Sequence, residues 1–194
     1  MANFPKIALL FLAIAWPAVA LPADRPIDVE RSTLRIHVRK AGLFSVAGHE
    51  HWVNAPIGHG SLDDFAPPHI AFTVAARTLT VEADASLSAA QQAEIQRTMQ
   101  EKVLESGKYP EISFRSSVIE NTGGEIWNVR GELSLHGQTH PVGTVVRKQH
   151  GRFFGECQIK QTDFGIQPVR IGGGAVKVKN ELDITFTIVP SSDQ

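Results

Sequence analysis

The sequence predicts an all-β protein of about eight antiparallel strands with one packed α-helix, folded as a closed β-barrel or a sandwich. Three observations predict it. Apolar and polar residues alternate with a period of two over most of the chain. Glycine-bearing turns stand between the alternating runs. One stretch alone, from Ser88 to Gly107, carries apolar residues at helical spacing.

The chain begins with Lys6, an apolar run from Ile7 to Trp16, Pro17 and the triplet Ala18-Val19-Ala20. Charge, apolar core and an Ala-x-Ala site in that order read as an export signal. The run is shorter than the roughly 20 apolar residues that cross a bilayer. Residues 1–20 are therefore read as a signal peptide, and residues 21–194 as a single domain of an exported protein. Leu34, Ile36 and Val38 then alternate with Arg35, His37 and Arg39. Ile70, Phe72 and Val74 make a second apolar face, and Ile112 and Phe114 a third. Trp127, Val129, Gly131, Leu133 and Leu135 oppose Arg130, Glu132, Ser134 and His136. The last strand is the longest, with Val176, Val178, Leu182, Ile184, Phe186 and Ile188 on one face and Lys177, Lys179, Glu181, Asp183, Thr185 and Thr187 on the other. Each strand has one dry and one wet face, the pattern of an antiparallel sheet. Closing such a sheet removes its edges.

The turns and the helix carry their own signals. Thr122-Gly123-Gly124 and His150-Gly151 lie between strands. Gly172-Gly173-Gly174 is also read as a turn, because the Lys-Ser/Thr and helix that follow a phosphate-cradling loop are missing. Ser88-Ala89-Ala90-Gln91 fits a capping box at a helix start. Ile95, Met99 and Val103 recur at a spacing of four, Gly107 is the expected C-cap, and Pro110 lies beyond.

Charge and cysteine usage exclude whole classes of function. Nineteen Lys and Arg face twenty Asp and Glu in 194 residues, a net charge of −1. Nothing in that balance suits a nucleic-acid binder. A lone cysteine, Cys157, excludes an internal disulfide framework and a cysteine-rich zinc module. It sits in the alternating run Phe153-x-Gly155-x-Cys157-x-Ile159 and reads as a small buried hydrophobe.

Three stretches carry a resemblance: Lys108-Tyr109-Pro110-Glu111-Ile112-Ser113-Phe114-Arg115-Ser116, Val129-Arg130-Gly131-Glu132-Leu133-Ser134-Leu135-His136-Gly137-Gln138-Thr139-His140-Pro141-Val142, and Thr162-Asp163-Phe164-Gly165-Ile166. In order and spacing they resemble the YceI-like family of exported, lipocalin-like proteins, over about Ile27 to Val189. The resemblance implies a β-barrel with a helix at one side and a channel for an amphiphile: a polyisoprenoid, an isoprenoid quinone or a fatty acid derivative. It also implies a periplasmic location, association with cytochrome b561-like membrane proteins in some members, and a homodimer as a reasonable assembly. Ala47-Gly48-His49-Glu50-His51-Trp52 is similar to a subgroup with a Gly-His-Asp/Glu-His motif, where many members carry Gly-x-Phe.

On that reading the protein is a binding protein without a required cofactor, sequestering or carrying a hydrophobic small molecule. Trp52, Phe72, Phe114, Trp127, Leu133, Leu135, Phe164 and Phe186 are the candidate channel lining, with plain core packing the alternative for any one of them. Arg35, Arg39, Arg147 and Arg170 are candidates for an anionic head group, or solvated outer charges. His49 and His51 would share one face of a strand, with Glu50 on the other. That pair is read three ways: structural hydrogen bonding, a polar head-group contact, or a Zn or Cu site. The metal reading makes a periplasmic metal-binding or redox-linked protein the alternative function. It needs further ligands, for which His59, His69, His136, His140, Glu50 and Asp163 are candidates by residue type alone. Asp163 also reads as a turn former. Neither a Gly-x-Ser-x-Gly elbow nor a His-Glu-x-x-His motif is present, so an enzyme is not the leading reading.

Overall fold

Alternating side chains build the whole architecture. The structure is a computed structural model that describes residues 24–41, 50–65, 67–171 and 176–191. The signal-peptide reading of residues 1–20, His49 and the Gly172-Gly173-Gly174 turn lie outside the described residues. The strands are β1 (Arg25–Pro26), β2 (Thr33–Ala41), β3 (His51–Asn54), β4 (His59–Asp63), β5 (His69–Ala75), β6 (Thr80–Val81), β7 (Glu111–Gly123), β8 (Ile126–Leu135), β9 (Gln138–Gln149), β10 (Arg152–Lys160), β11 (Arg170–Ile171) and β12 (Val176–Ile188). One helix, α1 (Ala89–Thr98), lies between β6 and β7. All strand pairs are antiparallel.

The sheet runs β1-β4-β5-β7-β8-β9-β10-β12-β2-β3-β6, with β11 on the side against β12. This corrects the closed ring of about eight strands. Among the described residues the hydrogen-bonded order is an open path through a single twelve-stranded sheet. The chain between β3 and β4 is where a ring would close. There Ala55 N–H donates to Leu34 O on one limb, at 2.9 Å, and Gly58 N–H to Thr73 O on the other, at 2.8 Å. Pro56 lies between them without an N–H to give, so the ladder breaks and one long run becomes two short strands. The sheet nevertheless curls around one interior, since residues of nine strands face a common cavity.

Two apolar clusters fill this interior. One lies at the helix end and holds Val53, Val74, Leu79, Leu104, Leu135, Ile159, Phe164 and Ile166. The other lies at the far end and holds Ile27, Ile57, Leu62, Val129, Val146, Phe153 and Ile188. Two glycines admit rings between the layers. A Cβ on Gly155 would overlap the ring of its cross-strand partner Phe186, and one on Gly131 would lie 2.6 Å from the Phe114 ring. The hairpin turns His136-Gly137 and His150-Gly151 have positive φ at both residues, which matches the twist of the strands they join.

The helix begins as the sequence predicts. Ser88 Oγ accepts from Gln91 N–H at 3.3 Å, and Gln91 Oε1 accepts from Ser88 N–H at 2.9 Å. Its end differs. The α-helix gives way to a π-helical turn, Met99–Val103, closed by Leu104 N–H on Met99 O at 2.9 Å. The left-handed residue that ends it is Glu105, not Gly107. His136 takes up the Glu105 carboxylate at 2.8 Å and so fixes that backbone turn to the β8–β9 hairpin.

Three glutamines hold the helix to the sheet edge. Gln92 donates to Glu82 O at 2.8 Å. Gln96 donates to Leu79 O at 2.9 Å and accepts from Val81 N–H at 2.8 Å. Gln100 donates to Leu79 O at 3.0 Å and Ala76 O at 3.2 Å. At a spacing of four they form one stripe of the helix and satisfy the backbone of residues 76–82, which the short β6 leaves open.

Candidate functional site

The second stripe of the helix, Ile95, Met99 and Val103, faces the interior and roofs a cavity of about 530 Å³. That volume is within the usual range for sites that bury a small molecule, about 300–1,000 Å³. Strand parity makes the walls. Leu34, Ile36 and Val38 of β2 face in, as do Phe72 and Val74 of β5 and Leu182, Ile184 and Phe186 of β12. Their odd-numbered neighbours on β2 and β12 carry the charges and face water.

Polar groups are few on this wall. His51, Glu94, Thr98 and Gln161 contribute to the lining at the end near the helix, and Thr144 further along. Glu94 is ion-paired with Arg97 on the outside of the helix. No Lys or Arg is among the lining residues described. Cys157 lies on the wall, where burial pushes its thiol up to about 11.

Most of the expected channel residues meet here. Phe72, Phe114, Leu133, Leu135 and Phe186 all line the cavity. Three do not. Phe164 is 1% exposed and packs in the helix-end cluster behind the wall, with the His140 ring edge-on at 5.2 Å. Trp127 lies below, tilted against Phe153 at 5.9 Å between ring centres. Trp52 is on the outer face: it stacks on His37 at 4.4 Å, and the Arg35 guanidinium lies 4.5 Å from its ring centre. The reason is parity. His51 and Val53 face the cavity, so Trp52 faces away with Glu50.

The outer face is a chain of paired charges. Arg35 is held by Glu82 at 2.6 Å, Arg39 by Asp183 at 2.6 Å, and His37 by Glu50 at 3.1 Å. Arg147 and Arg170 are exposed. None of the four candidate arginines lines the cavity.

The remaining histidines are spread over the molecule. His59 bonds Thr73 Oγ1 at 2.9 Å, and His69 pairs with Asp24 at 2.7 Å. His136 bonds Phe164 O at 3.2 Å as well as Glu105. Asp163 is exposed in the 3-10 turn Gln161–Phe164, the turn position the sequence suggests. Among the described residues no three His, Cys, Asp or Glu side chains come together as a metal-holding group.

A second, small cavity of about 60 Å³ lies past Phe186. Phe186, Ile188, Ile70, Val129 and Val146 border both spaces. Asp63 and Asp64 border the small one alone. Asp64 bonds Arg25, and also Lys148 at 2.6 Å. Burial pushes its carboxyl up, but the Lys148 and Arg25 charges outweigh that and hold it below the ordinary carboxylate range.

Sequence reading misses four parts of this arrangement: the glutamine stripe, the Glu94–Thr98 rim, the Glu105–His136 pair and Asp64. Only the first has a signal in the chain, since Gln92, Gln96 and Gln100 repeat at helical spacing.

Comparison with known proteins agrees with this architecture. The family profile for the YceI-like domain matches residues 26–189, and the chain belongs to that family. It is 33% identical over 94 residues to a UPF0312 protein of Pseudomonas syringae pv. tomato, a stretch covering 43% of this chain and 46% of that one. The chain thus spans a little under half the length of the curated relatives it matches. Among solved structures, Burkholderia cenocepacia BcnA shares the fold with a TM-score of 0.62 at 18% identity, over 85% of this chain and 99% of that one. A polyisoprenoid binding domain from Saccharophagus degradans gives a TM-score of 0.56 at 13% identity, over 84% and 95%.

Proposed function

We propose that this member of the YceI-like domain family is a periplasmic carrier or sequestering protein, holding the apolar tail of an amphiphile inside its curled sheet. The observation that carries the reading is the cavity of about 530 Å³, walled by aliphatic and aromatic side chains under an amphipathic helix. A hydrocarbon tail entering such a space gains about 25 cal/mol for each Å² of apolar surface removed from water. The polyisoprenoid binding of the Saccharophagus domain supports an isoprenoid tail. The export signal read in residues 1–20 supports the compartment.

The head group stays at the rim near the helix, beside His51, Glu94 and Thr98. Among the described lining residues Glu94 is the only carboxylate, and no Lys or Arg answers an anion. A neutral head, such as a quinone or an alcohol, fits this chemistry better than a free fatty acid or a prenyl phosphate.

The test is a titration of the delipidated protein with an isoprenoid alcohol and an isoprenoid quinone, followed by native mass spectrometry. One equivalent is expected to be held, and Leu133→Asp or Val38→Asp is expected to abolish it while circular dichroism shows the sheet intact. Binding that survives both substitutions places the ligand elsewhere and sinks the reading. The mature protein recovered from the periplasm is expected to begin at Leu21.

A further inference from the structure

We propose that Phe186 is the stop that sets how long a tail the cavity accepts. This rests on the tail-binding reading above and adds a specificity-determining residue to it. The ring stands between the two cavities and borders each of them. On one side lies the open space of about 530 Å³, and on the other the pocket of about 60 Å³.

The ring is held there from behind. Gly155 is its partner across the β10–β12 ladder and has no Cβ, so the ring seats flush on the strand. Phe114 lies over Gly131 in the same way, at 5.6 Å from Phe72. These rings form the floor of the wide cavity. Below the floor, Ile188 is 1% exposed and Phe153 8%, and both border the small pocket. A tail growing downward from the rim therefore reaches, at the junction of the two spaces, Phe186, which among the described residues is the one aromatic ring bordering both. The space beyond it is apolar down to Ile188 and Ile119, and then ends on Asp63 and Asp64. Removing the ring would join the two spaces and lengthen the apolar track.

A homologous series of straight-chain primary alcohols reads this directly. Each methylene buried adds roughly four-fold to affinity. In the wild-type protein affinity is expected to climb with length and then level off at a break. In Phe186→Ala the break moves to longer tails, and the first alcohols past the wild-type break bind roughly fifteen-fold more tightly, the gain of two methylenes. Ile184→Phe, one pleat nearer the helix on the same wall, moves the break to shorter tails. Phe186→Leu, a smaller truncation, gives an intermediate break and serves if the alanine variant does not fold.

Three results are decisive. Breaks that move in opposite directions for the variants at 186 and 184 support the stop. A wild-type break that stays in place in all three variants, with binding intact, overturns the stop and leaves tail binding standing. Failure of alcohols of every length to bind overturns both.

Discussion

At the helix end of the interior, Val38, Leu182 and Leu135 stand around empty space, and the helix spans it on Ile95, Met99 and Val103. At the far end, Phe153, Trp127, Val129, Val146 and Ile188 pack together around a pocket of about 60 Å³. Strands β8 and β12 supply side chains to both ends. What differs is side-chain volume and the closure around it. The far end is also fastened by charge, through Asp64 to Arg25 on β1 and Lys148 on β9. One end of the curled sheet is thus built to hold itself together and the other to leave room.

The sharpest way to break this contrast is to truncate one side chain at each end. Phe153→Ala is expected to cost about 3–5 kcal/mol, because a large ring leaves a cavity in closed packing. Leu182→Ala is expected to cost about 1–2 kcal/mol, at the low side for a leucine, because its neighbours already border open space. It should weaken amphiphile binding instead. Urea unfolding of both variants decides the matter, and equal costs would mean that the two ends are packed alike.

Asp64 comes next. Asp64→Ala leaves Lys148 and Arg25 without their carboxylate at the closed end. The expected loss is about 1–3 kcal/mol, below that of a fully buried pair because the site keeps some contact with water. Its folded-state carboxyl titrates lower than its unfolded one, so its contribution is complete above about pH 4 and is lost as the pH falls through the folded value. Acid unfolding of the variant should therefore be less steep below about pH 4 than that of the wild-type protein. Identical acid profiles would remove Asp64 from the account.

Much of this contrast is legible in the chain because strand parity is local. Leu34, Ile36, Val38, Phe72, Phe114, Leu133 and Phe186 follow the period of two straight to the interior. The same rule places Trp52 outside once His51 is inside, and the ring's size is what misleads. Sheet closure is less legible. It turns on Pro56, which splits one run into β3 and β4, and on hydrogen bonds that the alternation does not encode. The Asp64–Lys148 pair joins residues 84 apart in sequence, and neither side chain sits in a motif. Glu105 shows a third kind of limit. It takes the left-handed position expected of Gly107, and His136 on a distant hairpin holds its carboxylate there.

The attachment of the roof gives a smaller effect. Gln96→Ala removes two hydrogen bonds to the edge backbone at Leu79 and Val81. A loss of about 1–2 kcal/mol is expected. It should appear in hydrogen exchange as faster opening of residues 89–103, with the closed end unchanged. If the helix amides stay as protected as before, the glutamine stripe is ornament and the apolar stripe alone holds the roof.

The smallest expected change is in stability and the clearest in reactivity. Cys157 faces the wide cavity, and burial there pushes its thiol up to about 11. At pH 8 only about one molecule in a thousand carries the thiolate, the form that attacks an alkylating reagent. Carbamidomethylation is therefore expected to run about two orders of magnitude slower than for an exposed cysteine, and to quicken about ten-fold per pH unit up to about pH 11. Cys157→Ser should barely alter the melting temperature, since the residue lines space and does not fill it. An amphiphile lying along the wall covers the sulfur and slows the reaction further. That protection separates the two ends in one experiment: it should vanish in Leu182→Ala, where the wall is weakened, and persist in Asp64→Ala, where only the fastening at the far end is lost.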